Sequence, residues 1–156
     1  MKNTLDYYNG ISSGYDELYL EEQLEKYGFI KSLIPRAKKV LDLGCGTGKI
    51  TEKLDAGLVV GCDISFQMIK KSAISNKVVC CAEYLPFKDN SFDFILSLTV
   101  LQDIKNKEKV VNEIKRTAGR YIVSMLKRNK KKQDIKKVFN GKIKILEHEK
   151  DYFVIK

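Results

Sequence analysis

Histidine is all but missing from the 156 residues, with His148 standing alone, so a histidine-rich metal site has no ligands to draw on. Cysteine has no ligand spacing either. Cys45, Cys62, Cys80 and Cys81 lie inside or at the ends of apolar runs without a CxxC pattern, which predicts four buried, reduced thiols and no metal. On one strand Cys80 and Cys81 would point to opposite faces and could not pair. Only two prolines occur and low-complexity tracts are absent, while 44% apolar and 31% charged residues describe a folded chain. No apolar run approaches the roughly 18 residues that cross a bilayer, and no long apolar stretch follows a basic start. The expectation is a cytoplasmic protein without a membrane span. At this length one domain, residues 1–156, is the default.

Even charge distribution is lacking too. Of the net charge of +9, residues 127–144 hold nine Lys or Arg against one Asp. That one segment makes the protein basic and could attract phosphates from a distance. Lys supplies nearly all of it, and Phe139 is its one aromatic residue, so base stacking is not supported there.

What is present alternates strand and helix. Residues 1–16 read as an ordered arm without a clean period, carrying Tyr7, Tyr8 and Tyr15. Leu20, Leu24, Tyr27, Ile30, Leu33 and Ile34 recur at helical spacing, and Pro35 ends that helix, so arm and helix occupy 1–35. Apolar strands follow at 40–43, 58–62, 78–82, 92–98 and 121–126. Helices are expected at 49–54, after the cap Ser65, at 105–117 and, strongly basic, at 129–139. Crossovers of this kind imply a parallel sheet covered on both faces. The last two runs, 142–146 and 152–155, fit a hairpin that adds an antiparallel strand.

The sharpest motif is Val40-Leu41-Asp42-Leu43-Gly44-Cys45-Gly46-Thr47-Gly48, a strand running into three alternating glycines. Such a turn lets a ligand approach bare backbone and should present free amides at the start of a helix. It is no P-loop, because Gly48-Lys49 is followed by Ile50 and not by a hydroxyl residue. Nor does it match the dinucleotide fingerprint, whose third glycine falls one residue later. Asp42 beside the turn disfavours a pyrophosphate and suits a ligand carrying an ammonium and a sulfonium. Asp63, 19 residues after Gly44 at the end of the second strand, is placed to accept both ribose hydroxyls of an adenosine ligand, unless it merely caps the next helix. Glu83, past the third strand, is either an acceptor for the adenine amine or a solvated loop acid. Loops 42–48, 63–65, 83–85 and 97–101 should line one crevice at the carboxyl ends of the strands.

VLDLGCGTG, then GCDIS, then AEYLPFKDNSFDFIL resemble the class I S-adenosylmethionine (SAM)-dependent methyltransferases. The branch resembled includes the quinone C-methyltransferases and the tRNA wobble-uridine methyltransferases. The resemblance covers residues 7–126 and is densest over 38–99. It implies an α/β, doubly wound, mostly parallel seven-stranded sheet of order 3-2-1-4-5-7-6 with strand 7 antiparallel. It also implies SAM as cofactor, with Asp42, Gly44, Cys45 and Gly46 at its methionine end and Asp63 on the ribose. Ile64, Glu83, Tyr84 and Leu85 would surround the adenine, and Ser97 would lie near the ligand.

The acceptor is left open by these residues. Tyr15, Thr99, Gln102 and Asp103 are candidate acceptor contacts, and Tyr7, Tyr8, Tyr15 and Tyr19 form either a lid or part of the core. Asp103 is a base or a helix cap. No Asn/Asp-Pro-Pro-Tyr/Phe motif is present, which lowers planar amides and adenine amines as acceptors. Lys127, Arg128, Lys130, Lys131, Lys132, Lys136 and Lys137 are candidate RNA contacts, or a solvated helix face. Only about 15 residues join the fifth strand to the last hairpin, which implies an open site for a large acceptor, or one completed by a small activating protein or a second copy. The alternatives are a quinone-like small-molecule acceptor, a SAM-binding subunit without independent activity and, least compatible with the glycine spacing, a nicotinamide dehydrogenase.

Overall fold

The computed structural model describes residues 4–128 and 132–156. Among them, seven strands form one sheet in the order β3-β2-β1-β4-β5-β7-β6. The strands are β1 (Ala37–Leu43), β2 (Ala56–Asp63), β3 (Lys77–Val79), β4 (Phe94–Ser97), β5 (Tyr121–Leu126), β6 (Lys144–His148) and β7 (Asp151–Ile155). The first five are parallel, and β7 runs antiparallel between β5 and β6. This is the expected order. The hairpin turn is tighter than the expected five-residue gap, since only residues 149–150 separate β6 from β7.

Alternation along the strands divides the core between the two faces of the sheet. Leu41, Ile95, Tyr121, Val123 and Met125 face Val110, Val111 and Ile114 of α4 (Lys107–Thr117) and Ile135 and Phe139 of α5 (Lys132–Phe139). Val40, Phe94, Leu96, Ile122 and Phe153 face Ile30, Leu24 and Tyr27 of α2 (Tyr15–Ile30). α1 (Thr4–Ile11) packs near α3 (Phe66–Lys71). Among the described residues no helix is long and apolar enough to cross a membrane.

Several sequence expectations are corrected. The arm is helical, as α1 and the start of α2. No α-helix forms at 49–54; a single 3-10 turn, Thr51–Lys53, stands there because the glycine turn coils through positive φ at 44, 46 and 48. β3 stops at Val79, so Cys80 and Cys81 leave the strand, and of the four free cysteines only Cys62 is buried. Residues 129–131 of the expected basic helix lie outside the described residues.

Candidate functional site

Parallel strands deliver their carboxyl ends to one edge of the sheet, where β1, β2, β4 and β5 release the loops that build the site. Gly44 and Cys45 both donate their amides to Cys62 O, at 2.7 and 2.9 Å, and the Gly46 amide donates to Asp63 Oδ2 at 2.9 Å. Gly48 donates to Cys45 O at 2.9 Å, so the amides of Gly44, Cys45, Gly46 and Gly48 are used within the fold, and the Asp42 and Asp63 carboxylates lie beside the turn. A Cβ on Gly44 would collide with Val100, and one on Gly48, at φ 81°, with Ser72. Gly46 is roofed by Met68 and Tyr15.

Asp42 is 3% exposed and accepts from Thr51 Oγ1 at 2.5 Å. Burial pushes its carboxyl up to about 6, against the lowering effect of the Thr51 hydrogen bond. Asp63, half-buried, accepts from the Gly46 and Ser65 amides at 2.9 Å each; burial raises its carboxyl and these bonds oppose the rise. Ser65 caps α3 as expected, accepting from the Met68 amide at 3.2 Å.

Ile64, just past β2, and Tyr84, past β3, are exposed, and Glu83 accepts from Cys81 Sγ at 3.7 Å. Leu85 differs. Its side chain is in the core and its amide donates to Glu113 Oε2 at 2.7 Å. Arg116 completes this anchor, donating to Leu85 O, Phe87 O, Asp89 and Glu113, so α4 holds the loop. Ser97 is fully buried and donates to Leu43 O at 2.9 Å, which makes it a tie between β4 and β1.

Two cavities meet at this edge. The smaller, about 40 Å³, lies against Asp42, Gly44, Cys45 and Thr47, with Leu98 on its far wall. The larger, about 720 Å³, is walled by Tyr7, Tyr8, Tyr15 and Tyr19 and by Thr99, Gln102 and Asp103. Tyr15 and Gln23 line both. Burial raises the phenols of Tyr8 and Tyr15, so they stay protonated. Tyr8 donates to Asp103 Oδ2 at 2.8 Å. The N-terminal helices are fastened across the edge by Thr47 to Asp16 at 2.6 Å, Ser65 to Asn9 at 2.7 Å and Lys71 to Ser12 O at 2.7 Å.

The basic segment is divided by the fold. Lys127 and Arg128 line the larger cavity, joined by Lys150, and Lys132 shares Glu147 with Lys127. From Lys132 the helix α5 runs down the sheet: Lys115 bonds the carbonyls of Phe139 and Asn140 at its far end, and Phe139 packs on Tyr121 at the start of β5. Lys136 and Lys137 are exposed and do not line the cavity, and Lys130 and Lys131 lie outside the described residues. Sequence reading missed Lys150, Glu22, Gln23 and Lys26. Among the described residues no group of three or more His, Cys, Asp or Glu is placed to hold a metal ion.

A family model described as a methyltransferase domain matches residues 41–120. An uncharacterized protein of Methanocaldococcus jannaschii is 32% identical over 152 residues, covering 87% of this chain and 60% of its own length. The probable tRNA methyltransferase 9B of Mus musculus is 33% identical over 81 residues, which is 51% of this chain and 18% of that protein. The ubiquinone/menaquinone biosynthesis C-methyltransferase UbiE of Cronobacter sakazakii is 35% identical over 108 residues, covering 58% and 43%. The chain thus spans about 60% of the length of the archaeal relatives it matches. Among solved structures, a chain of the complex between the Haloferax volcanii Trm112 methyltransferase activator and a methyltransferase superposes with TM-score 0.77 at 17% identity, covering 90% of this chain and 77% of that one.

Proposed function

The chain belongs to the methyltransferase-domain family of class I SAM-dependent methyltransferases, and on that premise we propose that it methylates an RNA held in the tyrosine-lined cavity. The observation that carries this reading is the meeting of the two cavities at Tyr15 and Gln23, with Lys127, Arg128 and Lys150 at the rim of the larger.

The residues fit SAM by their chemistry. Asp42 is a buried carboxylate that accepts one side-chain hydrogen bond, Gly44 borders the smaller cavity beside it, and Asp63 keeps acceptor capacity beyond its amide bonds. Asp42 would hold the ammonium, Asp63 the ribose hydroxyls and Glu83 the adenine amine, between Ile64 and Tyr84. When bound, SAM supplies a methyl carbon already activated by its sulfonium. The smaller cavity has room for roughly three waters, so the helical arm must yield on the Asp16–Thr47 side to admit the methionine end. Tyr15 separates the cavities and would align the acceptor with the methyl group. Because Tyr8 and Tyr15 stay protonated and Glu22 is paired with Lys26, Asp103 is the cavity carboxylate that could take a proton from an acceptor that carries one.

A second reading has its own support: four tyrosine walls around about 720 Å³ suit a small aromatic acceptor, of the kind the name of the Cronobacter sakazakii relative implies. Labelled methyl from SAM, offered to bulk RNA and to a small-molecule extract, separates the two. Label in RNA that is lost after ribonuclease supports the RNA reading; label among metabolites overturns it. Replacing Asp63→Ala should weaken SAM binding about 10- to 100-fold, the worth of charge-assisted hydrogen bonds, and unchanged calorimetric affinity would sink the donor assignment. We further infer a small activating protein partner, supported by the activator bound to the Haloferax volcanii neighbour. Co-expression with such a protein should raise the transfer rate; a chain fully active alone, or as a homodimer, removes the need for it.

A further inference from the structure

Lys26 of α2 is 2% exposed, yet it is a lysine. Its ammonium lies 2.7 Å from Glu22 Oε1, 3.0 Å from Asp151 Oδ2 and 2.8 Å from Thr99 Oγ1. Asp151 is fully buried at the start of β7, and among the described residues neither of its carboxylate oxygens accepts a well-aligned hydrogen bond. The Lys26 ammonium is what compensates it. An ion pair in such a place gains little over two apolar side chains filling the same space, so stability alone gives no reason for it.

Thr99 supplies one. Its φ of 61° is left-handed, an outlier for a β-branched residue. Strained backbone of this kind persists where its surroundings over-determine it. Thr99 meets that condition. Its amide donates to Ser124 Oγ at 2.8 Å, its hydroxyl oxygen accepts from Lys26 and from Gln23 Nε2 at 3.4 Å, and its carbonyl accepts from Gln102 Nε2. The loop so clamped puts Leu98 against the smaller cavity and Thr99, Gln102 and Asp103 against the larger.

We propose that Lys26, seated between Asp151 and Glu22, is a positioning residue that locks Thr99 in its left-handed conformation and thereby sets the wall common to the donor and acceptor cavities. The lock stands on geometry; its consequence for methyl transfer rests on the methyltransferase reading. Lys26 touches neither cavity and acts through Thr99.

The test is the double variant Lys26→Met/Asp151→Leu, which strands no charge because Glu22 keeps Lys150 at 3.6 Å. Hydrogen exchange at the Thr99 amide, calorimetric SAM affinity and labelled methyl transfer to bulk tRNA are read together. Exchange at Thr99 should quicken about tenfold or more while the global transition stays cooperative. The kcat should fall about tenfold or more with the SAM affinity within about twofold, as a displaced wall predicts. Adding Thr99→Gly, which needs no lock, should restore much of the rate. If the double variant fails to fold, Lys26→Arg is read in the same way, since it keeps the charge but not the single-point fit. Parental exchange at Thr99 overturns the lock whatever the enzyme does, and quickened exchange with parental kcat overturns its catalytic consequence. A parent chain that binds no SAM defeats the methyltransferase reading, and the exchange data then judge the lock alone.

Discussion

Asp42 is proposed to bind an ammonium, and a proton competes with that ammonium for the same carboxylate. Its carboxyl sits near 6 in the ligand-free fold, above its ordinary 3.8, because burial disfavours the charge. A raised carboxyl stabilises the fold as pH falls, so the ligand-free protein should gain up to about 3 kcal/mol between pH 6 and 4 from this group. SAM binding has the opposite sign. Its affinity should be flat above pH 6 and fall by up to about tenfold per unit below it, measured by calorimetry from pH 8 to 5; Asp42→Asn should bind weakly and flatten the curve. Tyr121 offers a simpler case. Its hydroxyl is buried with no hydrogen-bond partner among the described residues, and burial pushes the phenol up to about 12. Tyr121→Phe should therefore stabilise by about 1 kcal/mol or be neutral, and a clear loss in thermal unfolding would contradict it. Asp42, Gly44, Gly46 and Asp63 were legible in the sequence because one strand, one turn and the next strand end place them. Thr99 was read as a candidate acceptor contact, but its tie to Lys26 and Asp151 was not legible, since three distant stretches bring them together and a Glu22–Lys26 pair four apart reads as helix surface.

At the scale of elements, the alternation of strand and helix was plain in apolar periodicity, whereas the N-terminal arm was not. α1 is only eight residues long and buries no side chain completely, so it leaves no regular apolar stripe to read. The missing helix at 49–54 has a local cause: Thr51 turns inward to Asp42, and the last left-handed glycine leaves room for one turn only. α5 shows how a run of charge misleads. The segment's charges are crowded in sequence, but among the described residues Lys127 and Arg128, with Lys150, line the acceptor cavity while Lys132, Lys136 and Lys137 of α5 do not. If RNA is the acceptor, Arg128→Ala with Lys150→Ala should weaken tRNA binding and lower its salt slope by about one to two units, about 0.9 per lost phosphate contact. Lys136→Ala with Lys137→Ala should change either much less. Equal effects in a filter-binding salt titration would make the whole helix a contact surface.

For the whole molecule, the sheet order was legible in the sequence because the glycine turn and its two acidic partners belong to one widespread arrangement. Strand alternation alone would have given a parallel sheet but not the position of the last hairpin. That position has weight: β7 lies between β5 and β6, contributing Phe153 and Val154 to opposite faces of the core and Asp151 to Lys26. Deleting residues 151–155 should leave a chain that aggregates on expression, because the buried strand β5 would show an open, apolar edge. Soluble, cooperative folding of that deletion, checked by gel filtration and circular dichroism, would refute the assignment of β7 as keystone. The same wedge has a consequence in time. On the ribosome, β5 is made ~25 residues before β7 begins, which at ordinary elongation is roughly one to five seconds. Throughout that interval the nascent sheet ends in an apolar strand whose edge lacks the partner that will pair with it. A chaperone that grips extended apolar segments would find its binding site there, and would lose it when β7 emerges.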